Sequence, residues 1–184
     1  MENLNLIKSA CFTGYRPEKF PFSLEKNNNE YKKLISSLTE TLINLIDNGC
    51  TVFYCGMAEG FDLICAERIL SLKKKYNSLR LVCVSPFLRH KDAIKYSWKK
   101  RYNAVLTKCD EVVYSSMQYH ISVFQIRNVY MVDRSDCVIT WYDGKKGGTR
   151  NTLNYAQKVT KQIINLNADY TKEFLNYQNK IELI

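Results

Sequence analysis

Apolar and polar positions along the chain follow two alternating periods. Short apolar runs, Leu6–Phe12, Thr51–Cys55, Leu79–Ser85, Glu111–Tyr114, Cys137–Trp141 and Gln162–Leu166, are separated by longer segments in which apolar residues recur every three or four positions. The runs read as strands and the longer stripes as helices. Leu34, Leu38, Leu42, Leu45 and Ile46 make the first stripe, and Gly49 stops it. Further stripes cover Phe61–Lys74, Asp92–Leu106, Ser122–Val132 and Thr149–Val159. Strands alternating with helices predict an α/β fold, a Rossmann-like three-layer sandwich with a mainly parallel sheet of about six strands. The pattern is that of one domain over residues 1–184, with a core at about 6–166 and a helical tail at 167–184. Lys26–Glu30, KNNNE, reads as an exposed loop before the first long helix.

Composition narrows the class. The chain has 184 residues, 46% of them hydrophobic, with three prolines and seven glycines. That is enough to bury a core without metal or disulfide staples, and it excludes disordered and fibrous classes. The net charge of +9 is local: Lys73–Arg101 holds ten basic residues and one acid, Asp92, while the rest has 17 of each sign. Such a stretch either attracts an anionic partner or keeps a surface solvated. Cysteines number seven, and Cys11, Cys55, Cys83 and Cys137 sit in or at the ends of apolar runs, as reduced, buried thiols do. No cysteine or histidine pair has metal-ligand spacing, so no metal site is expected; His90 and His120 stand alone as surface or packing residues. Without a span of about 18 apolar residues or a basic leader, the expectation is a cytoplasmic protein with no membrane insertion.

Six of the seven glycines follow predicted strands, at the sheet edge where open α/β proteins bind ligands. The first such loop is Thr13-Gly14-Tyr15-Arg16-Pro17, with a hydroxyl and a guanidinium beside the glycine. The second is Cys55-Gly56-Met57-Ala58-Glu59-Gly60-Phe61-Asp62, opening a helix whose N-terminus suits an anion. Asp62 there either bonds a ribose or caps the helix. The fifth is Tyr142-Asp143-Gly144-Lys145-Lys146-Gly147-Gly148-Thr149-Arg150, a second candidate phosphate cradle with cations nearby. Two cradles on one sheet edge can face one ligand.

The ordered series TGYRP, CGMAEGFD with CAE, SPF, RNVYMVDRSD and WYDGKKGGTRNT with NYA resembles the YpsA-like branch of the SLOG superfamily, from about Cys11 to Ile164. The resemblance implies a Rossmann-like fold and a pocket for a nucleotide or nucleotide-derived ligand, with binding or sensing as the role; no bound cofactor is expected. Carried over by position, the pocket residues are Thr13, Gly14, Arg16, Gly56, Met57, Gly60, Asp62, Ser85, Pro86, Gly147, Gly148 and Thr149. Arg127, Asn128 and Asp133 either join them or, for Arg127, pair with an acid of the fold. His90 and Ile94 stand where YpsA-like sequences often carry glutamine and tryptophan, and Trp98 lies one turn further on.

Two relatives within the superfamily imply alternatives. LOG enzymes, which split the bond between a base and ribose 5′-phosphate, follow a similar GG-T loop with a glutamate. Here Arg150, Asn151 and Thr152 follow Thr149, so only Glu59, Asp62 or Glu67 could supply the carboxylate such hydrolysis needs. DprA-like proteins bind single-stranded DNA. Within the predicted helix after the third strand, Lys91, Lys95 and Lys99 fall in a row beside Ile94, Trp98 and Val105. With Tyr96 and Tyr102 near, that face reads either as a nucleic-acid surface within Lys73–Arg101 or as a buried stripe with a lysine border. A protein partner or homo-oligomer is the third reading of the same helix.

Overall fold

The computed structural model describes residues 6–167. Its core is one six-stranded sheet with every neighbouring pair parallel, in the order β4-β3-β2-β1-β5-β6. The strands are β1 (Ser9–Gly14), β2 (Val52–Cys55), β3 (Arg80–Ser85), β4 (Glu111–Tyr114), β5 (Cys137–Trp141) and β6 (Gln162–Asn165). The Rossmann-like expectation is therefore met. The first strand begins three residues later than its apolar run and extends to Gly14. Its start is pinned by the Asp136 carboxylate, which accepts from the Lys8 and Ser9 amides at 2.8 and 2.9 Å.

Five helices connect the strands: α1 (Asn29–Asp47), α2 (Phe61–Leu72), α3 (Tyr96–Leu106), α4 (Val123–Asp133) and α5 (Gly148–Lys158). The right-handed crossover rule puts α1, α2 and α3 on one face and α4 and α5 on the other, and α2 does pack on α1 and α3 while α4 packs on α5. The buried residues of α1 are Leu34, Leu38, Leu42, Leu45 and Ile46, the stripe read from spacing. The KNNNE loop is shorter than expected, because Asn28 caps α1 by accepting from the Tyr31 amide at 3.0 Å and Asn29 is already helical.

One helix differs in kind. The stripe Asp92–Leu106 is two elements, a 3-10 turn at His90–Ala93 and then α3, with Ile94 and Lys95 extended between them. The Lys95 amide donates to Glu59 Oε1 at 2.6 Å, so a tertiary contact takes the donor a continuous helix would use. Lys91, Lys95 and Lys99 therefore do not share one helical face. Trp98 and Tyr102 are buried and Tyr96 is exposed. The Arg101 guanidinium covers the Trp98 ring at 4.2 Å. All seven cysteines are free, and all but the half-buried Cys109 are buried. Among the described residues no helix is long and apolar enough to cross a membrane. The tail expected to be helical lies, after residue 167, outside the described residues.

Candidate functional site

Strand order reverses at β1, which has β2 on one side and β5 on the other. Loops leaving strands on either side of such a point diverge and open a crevice. A cavity of about 350 Å³ lies there. From the β1 end it is lined by Phe12, Thr13, Gly14, Tyr15, Arg16 and Lys19, from the loop after β2 by Ala58, and from the first turn of α2 by Asp62. On the opposite face α4 contributes Phe124, Arg127 and Asn128, and α5 contributes Gly148 and Thr149.

The α5 end of the cavity is electropositive. No side chain caps this helix and its first turn has no acid, so its leading amides and dipole face the cavity. A Cβ built on Gly147 would lie 2.7 Å from Lys19 Nζ, which places that ammonium against the helix start. Arg16, 38% exposed, is on the same rim and has only a loose ion pair, 3.8 Å from Glu59. Like-signed groups facing one space are suited to an anion, which relieves their mutual repulsion. Tyr15 holds the first and fifth loops together: its hydroxyl donates to Asp143 Oδ1 at 2.5 Å and accepts from the Lys145 amide at 3.2 Å. Burial and the Asp143 carboxylate raise the Tyr15 pKa, so the phenol stays protonated.

The middle of the cavity holds a buried ion pair. Arg127 Nη1 lies 3.4 Å from Asp62 Oδ2 and also donates to the Gly56 carbonyl. Burial pushes the Asp62 carboxyl above its ordinary value, and Arg127 pulls it back down. Arg127 Nε has no hydrogen-bond partner among the described residues. Asn128 donates to Thr152 Oγ1 at 2.8 Å, fixing α4 to α5 behind the cavity. Phe124 supplies an apolar ring to the wall. Among the described residues no group of three or more His, Cys, Asp or Glu could hold a metal.

Of the residues singled out from sequence, the fold brings Thr13, Gly14, Arg16, Asp62, Arg127, Asn128, Gly148 and Thr149 around this space. The others stand elsewhere. Gly56 and Met57 lie behind the Asp62–Arg127 pair, and Met57 is fully buried. Gly60 packs on the first loop: its φ is +90°, and a Cβ there would sit 2.5 Å from the Tyr15 carbonyl oxygen. The α2 cradle is filled by the protein, because Phe61 N donates to Tyr15 O at 3.1 Å and Asp62 accepts from Ala58 N at 3.3 Å. Asp62 thus pairs and folds back within its own loop. Ser85 bonds the Phe87 carbonyl, and Ser115 bonds that of Pro86. Asp133 ends α4, about 15 Å along the helix from Val123, and accepts from Tyr155. Gly147 is the residue before α5 and is not part of the cavity wall. Sequence reading passed over Phe12, Tyr15, Lys19, Ala58 and Phe124. Lys19 carried a signal, as a cation just after Arg16-Pro17, whereas Phe124 looked like one more apolar stripe residue.

The YpsA family model, described as the YspA SLOG family, matches residues 10–179. The uncharacterized SPbeta prophage-derived protein YoqJ of Bacillus subtilis is 31% identical over 135 residues, 66% of this chain and 79% of that protein. A UPF0398 protein of Bacillus cereus is 25% identical over 179 residues, 96% of each chain. Among solved structures, DNA processing protein A of Streptococcus pneumoniae superposes with a TM-score of 0.58 at 18% identity, over 84% of this chain. This chain spans 48% of that protein. The Helicobacter pylori protein of the same name, whose structure concerns its single-stranded DNA binding mode, gives a TM-score of 0.58 at 23% identity, covering 92% of this chain and 72% of that one. At these identities the likeness is one of fold.

Proposed function

The chain belongs to the YpsA SLOG family, and on that premise we propose that it binds a phosphorylated nucleoside derivative in the cavity at the end of β1, as a binding or sensing protein. The observation that carries this reading is the uncapped start of α5 opening on a cavity that also receives Arg16 and Lys19. A phosphate is accommodated by the Gly148 and Thr149 amides and the two cations. Asn128, whose amide also holds Thr152, lines the wall where the sugar would lie, and the Phe124 ring is there to carry the apolar face of a base. A volume of about 350 Å³ suits a mononucleotide-sized molecule better than a dinucleotide.

The test uses a substitution the fold tolerates. Nothing lies within 4 Å of a Cβ at Gly148, and an acid in the first turn of a helix is stabilising by about 0.3–1 kcal/mol. Gly148→Asp should therefore melt at or above the wild-type temperature while repelling an anion. In a thermal-shift screen with a nucleoside monophosphate, ADP-ribose and a nucleotide sugar, at least one should stabilise the wild type, by about 2.7 kcal/mol at a hundredfold excess over Kd. The variant should lose that response. Ligands that stabilise both proteins equally would refute the placement. A second reading, hydrolysis of an N-glycosidic bond, is favoured by Asp62, the one carboxylate on the cavity wall among the described residues. It predicts release of free base from a nucleoside monophosphate, abolished in Asp62→Asn.

A further inference from the structure

Two carboxylates beside the start of α2 are buried, Glu59 at 2% exposure and Asp62 at 5%. An ionised carboxylate withdrawn from water has to be paired and hydrogen-bonded, or it destabilises the fold. Asp62 meets that demand: its Oδ2 accepts from the Ala58 amide at 3.3 Å and lies 3.4 Å from Arg127 Nη1. Glu59 meets it with one oxygen only. Its Oε1 accepts from the Lys95 amide at 2.6 Å, whereas Oε2 has no hydrogen-bond partner among the described residues.

Two cations stand just beyond bonding distance of that oxygen, Arg16 Nη1 at 3.8 Å and Lys95 Nζ at 4.0 Å. Neither is committed to it. The Arg16 side chain is 38% exposed, and the Lys95 ammonium lies nearer to Glu18, at 3.3 Å. The two cations also come from different places. Arg16 lines the cavity at the end of β1, whereas Lys95 belongs to the extended link between the 3-10 turn and α3, inside the basic stretch. Glu59 is therefore one buried anion shared between the cavity and the basic stretch.

An anion in the cavity changes that balance. It draws Arg16 toward itself, and the buried Oε2 then needs the other cation. Lys95 can close on it by side-chain rotation, because its own amide already fixes Oε1 of the same carboxylate. Closing takes Lys95 away from Glu18. On the reading of the cavity as an anion site, we propose that Glu59 is its switch: an internal anion that competes with the ligand for Arg16 and passes to Lys95 when the ligand wins. Linkage makes the switch measurable as affinity, since a ligand moves such an equilibrium only by its differential affinity for the two arrangements. Removing the Glu59 charge strengthens anion binding, and removing the Lys95 ammonium weakens it.

Isothermal titration calorimetry of the full chain with inorganic pyrophosphate, an anion without sugar or base, tests this at one low salt concentration. Glu59→Gln keeps an acceptor for the Lys95 amide and drops the charge. It should bind pyrophosphate about fivefold more tightly, the worth of a partly exposed ion pair. In an Arg16→Gln background the same substitution should change affinity by less than about twofold. Lys95→Met should weaken binding about threefold, and more than Lys99→Met, which controls for the loss of one positive charge. Glu59→Gln binding no tighter than the wild type, or gaining as much without Arg16, overturns the proposal. So does Lys95→Met binding no more weakly than Lys99→Met, a comparison that does not depend on Glu59→Gln folding. A wild type that binds neither pyrophosphate nor adenosine monophosphate, or a Gly148→Asp variant that binds both unchanged, removes the anion site and the switch with it. Binding that is lost in Gly148→Asp but indifferent to Glu59→Gln leaves the site standing and removes the switch alone.

Discussion

His90 is buried among the rings of Phe87, Tyr102 and Phe124, and its Nδ1 has no hydrogen-bond partner among the described residues. Burial, with repulsion from Arg127 and Arg16, lowers its pKa from 6.5 to about 4. Between those values the unfolded chain takes up a proton here and the folded chain does not. Stability is thus full above about pH 6.5 and falls as pH drops toward 4, by about 3 kcal/mol from this residue. His90→Phe removes the titrating group and keeps a ring among rings. Urea unfolding across pH 4–7 should show a shallower acid loss in the variant, with stability at pH 7 little changed. Parallel curves would mean that His90 does not titrate in this window. The sequence leaves His90 as a surface or packing residue, and the rings around it decide which: Phe87 is a near neighbour in the chain, but Tyr102 and Phe124 are brought in by α3 and α4.

The N-termini of α2 and α5 looked alike in sequence, each a glycine loop leading into a helix, and the fold makes them opposites. At α2 the backbone of the first loop occupies the helix start and Asp62 turns inward to Arg127. At α5 no side chain caps the start, and it opens on the cavity. The two glycines should respond differently. Gly60→Ala forces a residue with a Cβ to φ +90° against the Tyr15 carbonyl and should cost about 1–3 kcal/mol or more. Gly148→Ala meets nothing within 4 Å and should be neutral or stabilising by up to about 1 kcal/mol. Chemical denaturation of both variants checks this. The break between the 3-10 turn and α3 was equally hidden, because Ile94, Trp98 and Val105 keep a helical spacing. Glu59, from a loop more than thirty residues earlier, takes the Lys95 amide.

Across the whole molecule, half of the ten cations in the basic stretch are paired with acids, four of them with acids brought there by folding. Lys73 pairs with Asp110, Arg80 with Glu111, Arg101 with Glu67, and Lys95 with Glu18 and Glu59. Arg89 pairs with Asp92 inside the stretch. Lys74, Lys75, Lys91, Lys99 and Lys100 have no ion-pair partner among the described residues. If single-stranded DNA binds through this face, five free lysines limit the slope of log K against log salt to about −3.5 or shallower. Titration of a short oligonucleotide at several salt concentrations measures it, and a steeper slope would place the contact on other cations. Strand and helix order, the parallel sheet and the loops that reach its edge are legible in the chain, since apolar periodicity and glycine placement are local properties that folding must obey. Which glycine loop stays open, which carboxylate is consumed by an arginine and which lysines remain free were decided by the fold. Those outcomes depend on pairs such as Asp62 with Arg127 and Lys73 with Asp110, which are distant in the chain and meet only when the strands are assembled.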